Sequence, residues 1–191
     1  CATTVIATVL GTLAAYGLTM AQFRFKGLLV GFLISPLVVP LVITALAAYF
    51  ALAKVGLLGT HIGLILAHTA LATPFVVITV TATLQGFDHN MVRAAESLGA
   101  NPVNAFFSVT LPLILPGVLS GSVFAFVTSF DEIVVALFVA GPGQFTMPRQ
   151  LFADLRDQLN PSIIAVATLL TVASICLMAL IEILQRRKDT G

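Results

Sequence analysis

Uncharged apolar runs long enough to cross a bilayer alternate along this chain with short polar segments. A hydrocarbon core about 30 Å thick needs roughly 20 helical residues at about 1.5 Å each. The first run, Thr3 to Met20, is uncharged and carries small residues at Gly11, Ala14, Ala15 and Gly17, the kind that let helices approach closely. Arg24 and Lys26 follow, and a second run from Leu28 to Ala53 is interrupted by Pro36 and Pro40, which predict a kink. Lys54 to His61 reads as a short loop. A third run, Ile62 to Phe87, has Pro74 near its middle. A fourth span is expected from Val109 to Phe130, with Pro112 and Pro116 in its first turns, where proline costs least. The last runs from Ser162 to Leu184 and ends in a basic tail, Gln185 to Gly191. The pattern predicts an all-α, polytopic membrane protein, one domain over residues 1–191 with about five spans.

Two segments break the rhythm. Residues 88–104 carry Asp88, His89, Asn90, Arg93, Glu96, Ser97, Asn101 and Asn104, so they belong in water or at a protein interface. Residues 131–160 are mixed. Ile133 to Ala140 is apolar but too short to cross, and Gly141-Pro142-Gly143 leads into a polar stretch with Arg149, Asp154, Arg156 and Asp157. A re-entrant or surface-lying piece buried against other helices is expected, because lipid does not tolerate exposed irregular backbone. With five spans, Arg24, Lys26, Arg93, Arg186, Arg187 and Lys188 share one side, and Lys54, Arg149 and Arg156 the other. The richer side is the cytoplasmic one, which places residues 88–104 and the C-terminus in the cytoplasm and residues 131–160 outside.

Composition supports a lipid environment: 59% of the 191 residues are hydrophobic and 9% charged, with a mean hydropathy of +1.08. A net charge of +1, with charges between apolar blocks, argues against a nucleic-acid surface. Cys1 and Cys176 fit no zinc or disulfide spacing. The chain opens on Cys1 without a preceding Met, which leads to the expectation of a further upstream segment. No catalytic set or metal-binding pattern is present in the spans, so enzyme activity is not expected. The three lysines, Lys26, Lys54 and Lys188, follow Phe25, Ala53 and Arg187, so no phosphate-binding loop of the Walker type exists here and no cofactor is expected in this chain.

Several residues keep two readings. Asp131 and Glu132, beside Phe130 at the outer end of the fourth span, either line a path for a cation or simply meet external water or nearby backbone. His68 is expected to bond a neighbouring helix rather than relay protons. Phe124, Phe126 and Phe130 are spaced to share a face, with packing preferred over gating. Gly27/Gly31, Gly59/Gly63 and Gly117/Gly121 either mark close helix crossings or arise by chance. Glu182 can pair with Arg186 at i+4.

The polar segment 88–104 carries the most specific pattern. Met91 to Leu98 is a short helix former, and Gly99 followed by Pro102 is a stop-and-turn signal. Ala94, Ala95 and Leu98 gather within about one turn into a compact knob that suits a groove on a soluble partner; an ordinary loop helix is the alternative. Ala94, Ala95, Gly99, Leu111 and Pro112 fit the spacing Glu-Ala-Ala, three residues, Gly, nine residues, Ile, one residue, Leu-Pro. The chain thereby resembles the binding-protein-dependent ABC importer permeases, whose EAA loop has this pattern. Arg93 stands where the family prefers Glu, with Glu96 near enough to substitute, and Val109 stands for Ile. Ser129-Phe130-Asp131-Glu132, Gly141-Pro142-Gly143, Met147-Pro148 and Asn160-Pro161 are similar to the subgroup related to spermidine/putrescine importers.

The resemblance implies a type I importer fold, usually of six spans, so that the first span and the segment after it are absent from this chain. It implies a location in the bacterial inner membrane and an ATPase-docking role for Arg93, Ala94, Ala95, Glu96, Leu98 and Gly99. The implied partners are an ATP-binding subunit that carries ATP and Mg, a second permease of the same or a different chain, and an external solute-binding protein. A polyamine or other small cation is the implied solute. The competing readings are a secondary transporter or channel working without an ATPase, for which mid-membrane charges and paired broken helices are wanting, and a purely structural membrane subunit.

Overall fold

The computed structural model describes residues 1–21, 24–88, 90–157 and 165–176. They are helical, with no strand among the described residues, and they fall into two units, Cys1–Phe145 and Thr146–Gly191. The first contains α1 (Ala2–Met20), α2 (Lys26–Val38), α3 (Leu41–Lys54), α4 (His61–Gln85) and α5 (Asn90–Ser97). It continues with α6 (Pro102–Ala105), a π-helical turn (Phe106–Thr110), α7 (Leu111–Asp131) and α8 (Val134–Val139). The second unit holds α9 (Met147–Asp157) and an apolar helix, α10 (Ala165–Cys176). The expected last span extends beyond α10 into residues outside the described ones, as do Asn160-Pro161, the Glu182–Arg186 pair, the basic tail and His89.

Among the described residues three single helical stretches are long and apolar enough to cross a membrane: Ala2–Met20, His61–Gln85 and the continuous Pro102–Asp131. They pack on one another around Ala7, Ala15, Ala72, Val76, Val80, Leu84, Ile114, Val118 and Ala125. Where lipid tails are as apolar as leucine, close van der Waals contact replaces the hydrophobic effect as the cause of association, so small residues sit at the crossings. A Cβ at Gly11 would stand 2.6 Å from Val76 Cβ. At Gly117 and Gly121 it would collide with the Thr83 and Thr79 hydroxyls. Gly117/Gly121 is thus a true helix crossing, whereas among the described residues nothing lies within 4 Å of a Cβ added at Gly27 or Gly31. Gly59 serves a loop, with φ of +69°, and Gly63 faces the Leu57 carbonyl.

The second apolar run folds differently from a kinked span. α2 and α3 meet at 110°, a break rather than a bend. Val39 is extended (ψ 135°), the conformation a following proline favours, and Pro40 lies outside both helices. Its carbonyl restarts the ladder by accepting from the Ile43 and Thr44 N–H groups. Pro36, by contrast, is carried inside α2.

The fourth span also departs from expectation. Helix begins at Pro102 rather than near Val109, so Pro112 lies well inside it. Proline lacks an N–H and its ring crowds the carbonyl four residues back. The chain absorbs this by widening one turn: Leu111 N–H donates to Phe106 O, a five-residue closure immediately before the proline. Tyr16 of α1 packs edge-on against Phe106 at 4.9 Å and braces the widened turn.

A second core joins α3, α8 and the start of α4 through Ala45, Leu52, Ala67, Leu71, Val135 and Val139. α8 has six residues, too few to cross a membrane, and Val135, Ala136 and Val139 bury it against its neighbours.

Candidate functional site

The expected short helix of the polar segment is α5. Asp88 prepares its start, Oδ1 accepting from the Asn90 N–H at 2.9 Å. Its end is a Schellman closure: Gly99 N–H donates to Glu96 O at 2.9 Å and Ala100 N–H to Ala95 O at 3.1 Å. The closure needs a left-handed residue, and Gly99 supplies it with φ of +92°. Asn101 starts the next helix at once, its side-chain oxygen accepting from the Asn104 N–H at 2.7 Å, with Pro102 at the first helical position. Gly99 and Pro102 therefore act as the sequence suggests, but they separate two helices by a few fixed residues instead of leading into a loop.

Arg93, Ala94, Glu96, Leu98 and Gly99 are exposed, while Ala95 is half-buried where α5 leans on the π-helical turn. Leu98 is 90% exposed, next to the polar residues Glu96 and Ser97. Ser97 returns its hydroxyl to the Arg93 carbonyl at 2.8 Å. The Arg93 side chain is left on the open face of the helix.

The acidic pair at the end of α7 divides. Glu132 is 8% exposed and its Oε1 accepts from the Val135 N–H at 2.8 Å, capping α8, so bonding to nearby backbone accounts for it. Asp131 is exposed. It borders a cavity of about 380 Å³ between the start of α3 at Leu41, the end of α7 at Val127 and Thr128, and the α7–α8 junction from Glu132 to Val134. Phe130 does not line this cavity; it stacks on Phe126 at 5.6 Å. Phe124 faces elsewhere and stacks on Phe75 of α4 at 6.3 Å, so the three phenylalanines do not share one face. His68 bonds Ser129 of α7, the helix-to-helix link expected of it.

Sequence reasoning missed a buried amide. Gln144, 6% exposed, donates from Nε2 to Gly59 O at 3.0 Å, and its Oε1 accepts from the Gly141 N–H at 3.0 Å. Gln144 and Gly59 are 85 positions apart, so no local pattern pairs them. Among the described residues, no group of three His, Cys, Asp or Glu side chains is arranged to hold a metal ion. Cys1 and Cys176 are both free and exposed.

The family of binding-protein-dependent transport system inner membrane components matches residues 7–190. The chain is 33% identical to the spermidine/putrescine transport system permease protein PotC of Haemophilus influenzae, covering 96% of this chain and 72% of that protein. It is 38% identical to the putrescine transport system permease protein PotI of Escherichia coli over 89% of this chain, spanning 63% of that relative's length. The molybdenum transport system permease protein ModB of Mycobacterium bovis is 33% identical over 94% of this chain and 73% of its own. With the pattern from Ala94 to Pro112 placed on an exposed helix and the span behind it, these matches establish that the chain belongs to the binding-protein-dependent transport system inner membrane component family.

Proposed function

We propose that this chain forms half of the solute path of an ATP-driven, binding-protein-dependent importer and that α5 docks on a separate ATP-hydrolysing subunit. The observation that carries the reading is Leu98, 90% exposed at the tip of a helix whose end is locked by Gly99. A leucine presented to water on a rigid, polar-flanked knob is explained by a partner's apolar groove. ATP and Mg belong to that partner. In this reading residues 88–104 and the C-terminus face the cytoplasm, and residues 131–160 face outward beneath a solute-binding protein. A second permease, identical or different, packs alongside, where α2 presents Leu28, Phe32 and Val38 at 72–79% exposure.

The solute we infer is a polyamine or another small cation. PotC and PotI are named for such solutes, but ModB, named for molybdenum transport, is similarly identical, so likeness alone does not select. Charge favours the cation: Asp131 is exposed beside the cavity at the α7–α8 junction, and among the described residues no basic group lines it.

Co-purification tests the docking. A tagged wild-type chain should bring down an ATPase subunit with a Walker loop, and Leu98→Arg should lose it while the permease stays in the membrane. Equal recovery with both would remove the reading.

A further inference from the structure

We infer that the cavity between α1, α2 and α4 is a binding site for one anionic phospholipid, whose phosphate meets Lys26 and one of whose acyl chains lies along the apolar walls behind it. The three helices do not close on one another there. α2 has no buried residue along its length, and it turns Lys26, Val30 and Ile34, one helical turn apart, toward a cavity of about 490 Å³. Leu18 of α1 and Val77, Ile78 and Ala82 of α4 form the other walls. The volume falls within the roughly 300–1,000 Å³ of ligand sites.

The shape fits a lipid in its own leaflet. α1 ends at Met20, α2 begins at Lys26 and α4 ends at Gln85, so the polar members of the lining gather at one end of the spans. From there the walls run inward from Lys26 to Ile34 and from Gln85 back to Val77, about 12 Å on each helix at about 1.5 Å per residue. One leaflet of the hydrocarbon core is about 15 Å, half of about 30 Å. Thr19, beside the mouth, spends its hydroxyl on the Ala15 carbonyl at 2.8 Å. Water gains little from such walls, and an empty slot forfeits their dispersion contacts. Lys26, half-buried at the rim, repels a cationic solute; among the described residues no carboxylate lines the cavity to offset it. A basic group at the headgroup level above an apolar slot between spans is the combination that holds an anionic lipid. Leu28 and Phe32, 72% and 75% exposed, lie on the opposite side of α2, so a second permease packed there leaves the slot to lipid.

The test uses the full-length protein, purified with the subunits that accompany it. It is placed in nanodiscs of equal parts phosphatidylglycerol and phosphatidylethanolamine and returned to detergent, and its retained lipids are counted by native mass spectrometry. Lys26→Gln should lower retained phosphatidylglycerol about fivefold, and Lys26→Arg should keep it within about twofold of wild type, since either cation meets the phosphate. Val30→Trp fills the slot but leaves the charge, and it should lower retention by about as much, with thermal melting to show that the fold persists. Lys54→Gln, a basic residue outside the cavity, should leave retention within about twofold. Equal retention in all the variants would overturn the inference. So would loss in Lys26→Gln but not in Val30→Trp, which is attraction to surface charge without a slot. A benzophenone amino acid introduced at Ile34 identifies the occupant: a phospholipid adduct supports the site, and an adduct to a second permease or to another part of this chain overturns it. None of these readouts depends on the ATPase or on the solute, so failure of the docking or polyamine reading leaves them standing.

Discussion

His68 Nδ1 lies 3.1 Å from both the carbonyl oxygen and the hydroxyl of Ser129, joining the first half of α4 to the last turn of α7. A carbonyl only accepts, so Nδ1 carries the proton and Nε2 is left as a buried acceptor with no partner among the described residues. His68→Ala should cost about 2 kcal/mol, from the lost bond and the space left behind. Ser129→Ala keeps the carbonyl and should cost less than about 0.5 kcal/mol. Thermal unfolding in detergent compares them; equal losses would place the bond on the hydroxyl instead.

Gly117 and Gly121 press α7 onto Thr83 and Thr79 of α4. Gly117→Ala should destabilise the chain by about 1–3 kcal/mol through overpacking. Gly27→Ala meets open space in α2 and should be neutral or slightly stabilising, by up to about 1 kcal/mol from helix propensity. Melting of the two variants in one detergent decides between them, and a neutral Gly117→Ala would deny the close crossing.

Gly99 at φ +92° closes α5. Gly99→Ala should cost about 1–2 kcal/mol of local stability, and Gly99→Asn less, because asparagine tolerates the left-handed region. If α5 docks as proposed, ATPase recovery should fall in the order wild type, Gly99→Asn, Gly99→Ala. Identical recovery from all three would show that the shape of this turn does not matter to docking.

Asp131 and Glu132 should separate by mutation. Asp131→Asn leaves a solvent-facing residue in place and should spare stability while slowing uptake of a divalent organic cation. Glu132→Gln retains the oxygen that accepts from Val135, whereas Glu132→Ala loses it and should cost about 1 kcal/mol. Uptake and melting measured on the same preparations test both; full uptake by Asp131→Asn would exclude that carboxylate from the path.

The apolar runs and the Gly99 stop were legible because each depends on residues adjacent in sequence. Pro40 announced a disturbance but not its size: a proline marks where a ladder is interrupted, while the 110° turn is held by α3 packing on α8. The fourth span was read as starting too late, because Asn101 and Pro102 look like the end of a loop when they are the cap of the next helix. Pro112 gave no sign of the widened turn before it, which Tyr16 on a distant helix supports. Asp131 and Glu132 were indistinguishable as neighbours. Only the fold exposes one and buries the other, and only the fold brings Gln144 to Gly59.

Between the last turn of α5 and the first residue of the helix Pro102–Asp131 lie only Leu98, Gly99, Ala100 and Asn101, held by capping bonds on both sides. Such a joint has no slack. If α5 docks as proposed, a push on it passes directly into the 30-residue helix Pro102–Asp131, the way a bell crank turns a pull around a corner. Lengthening the joint with flexible residues would leave the grip intact and let the rod stay still.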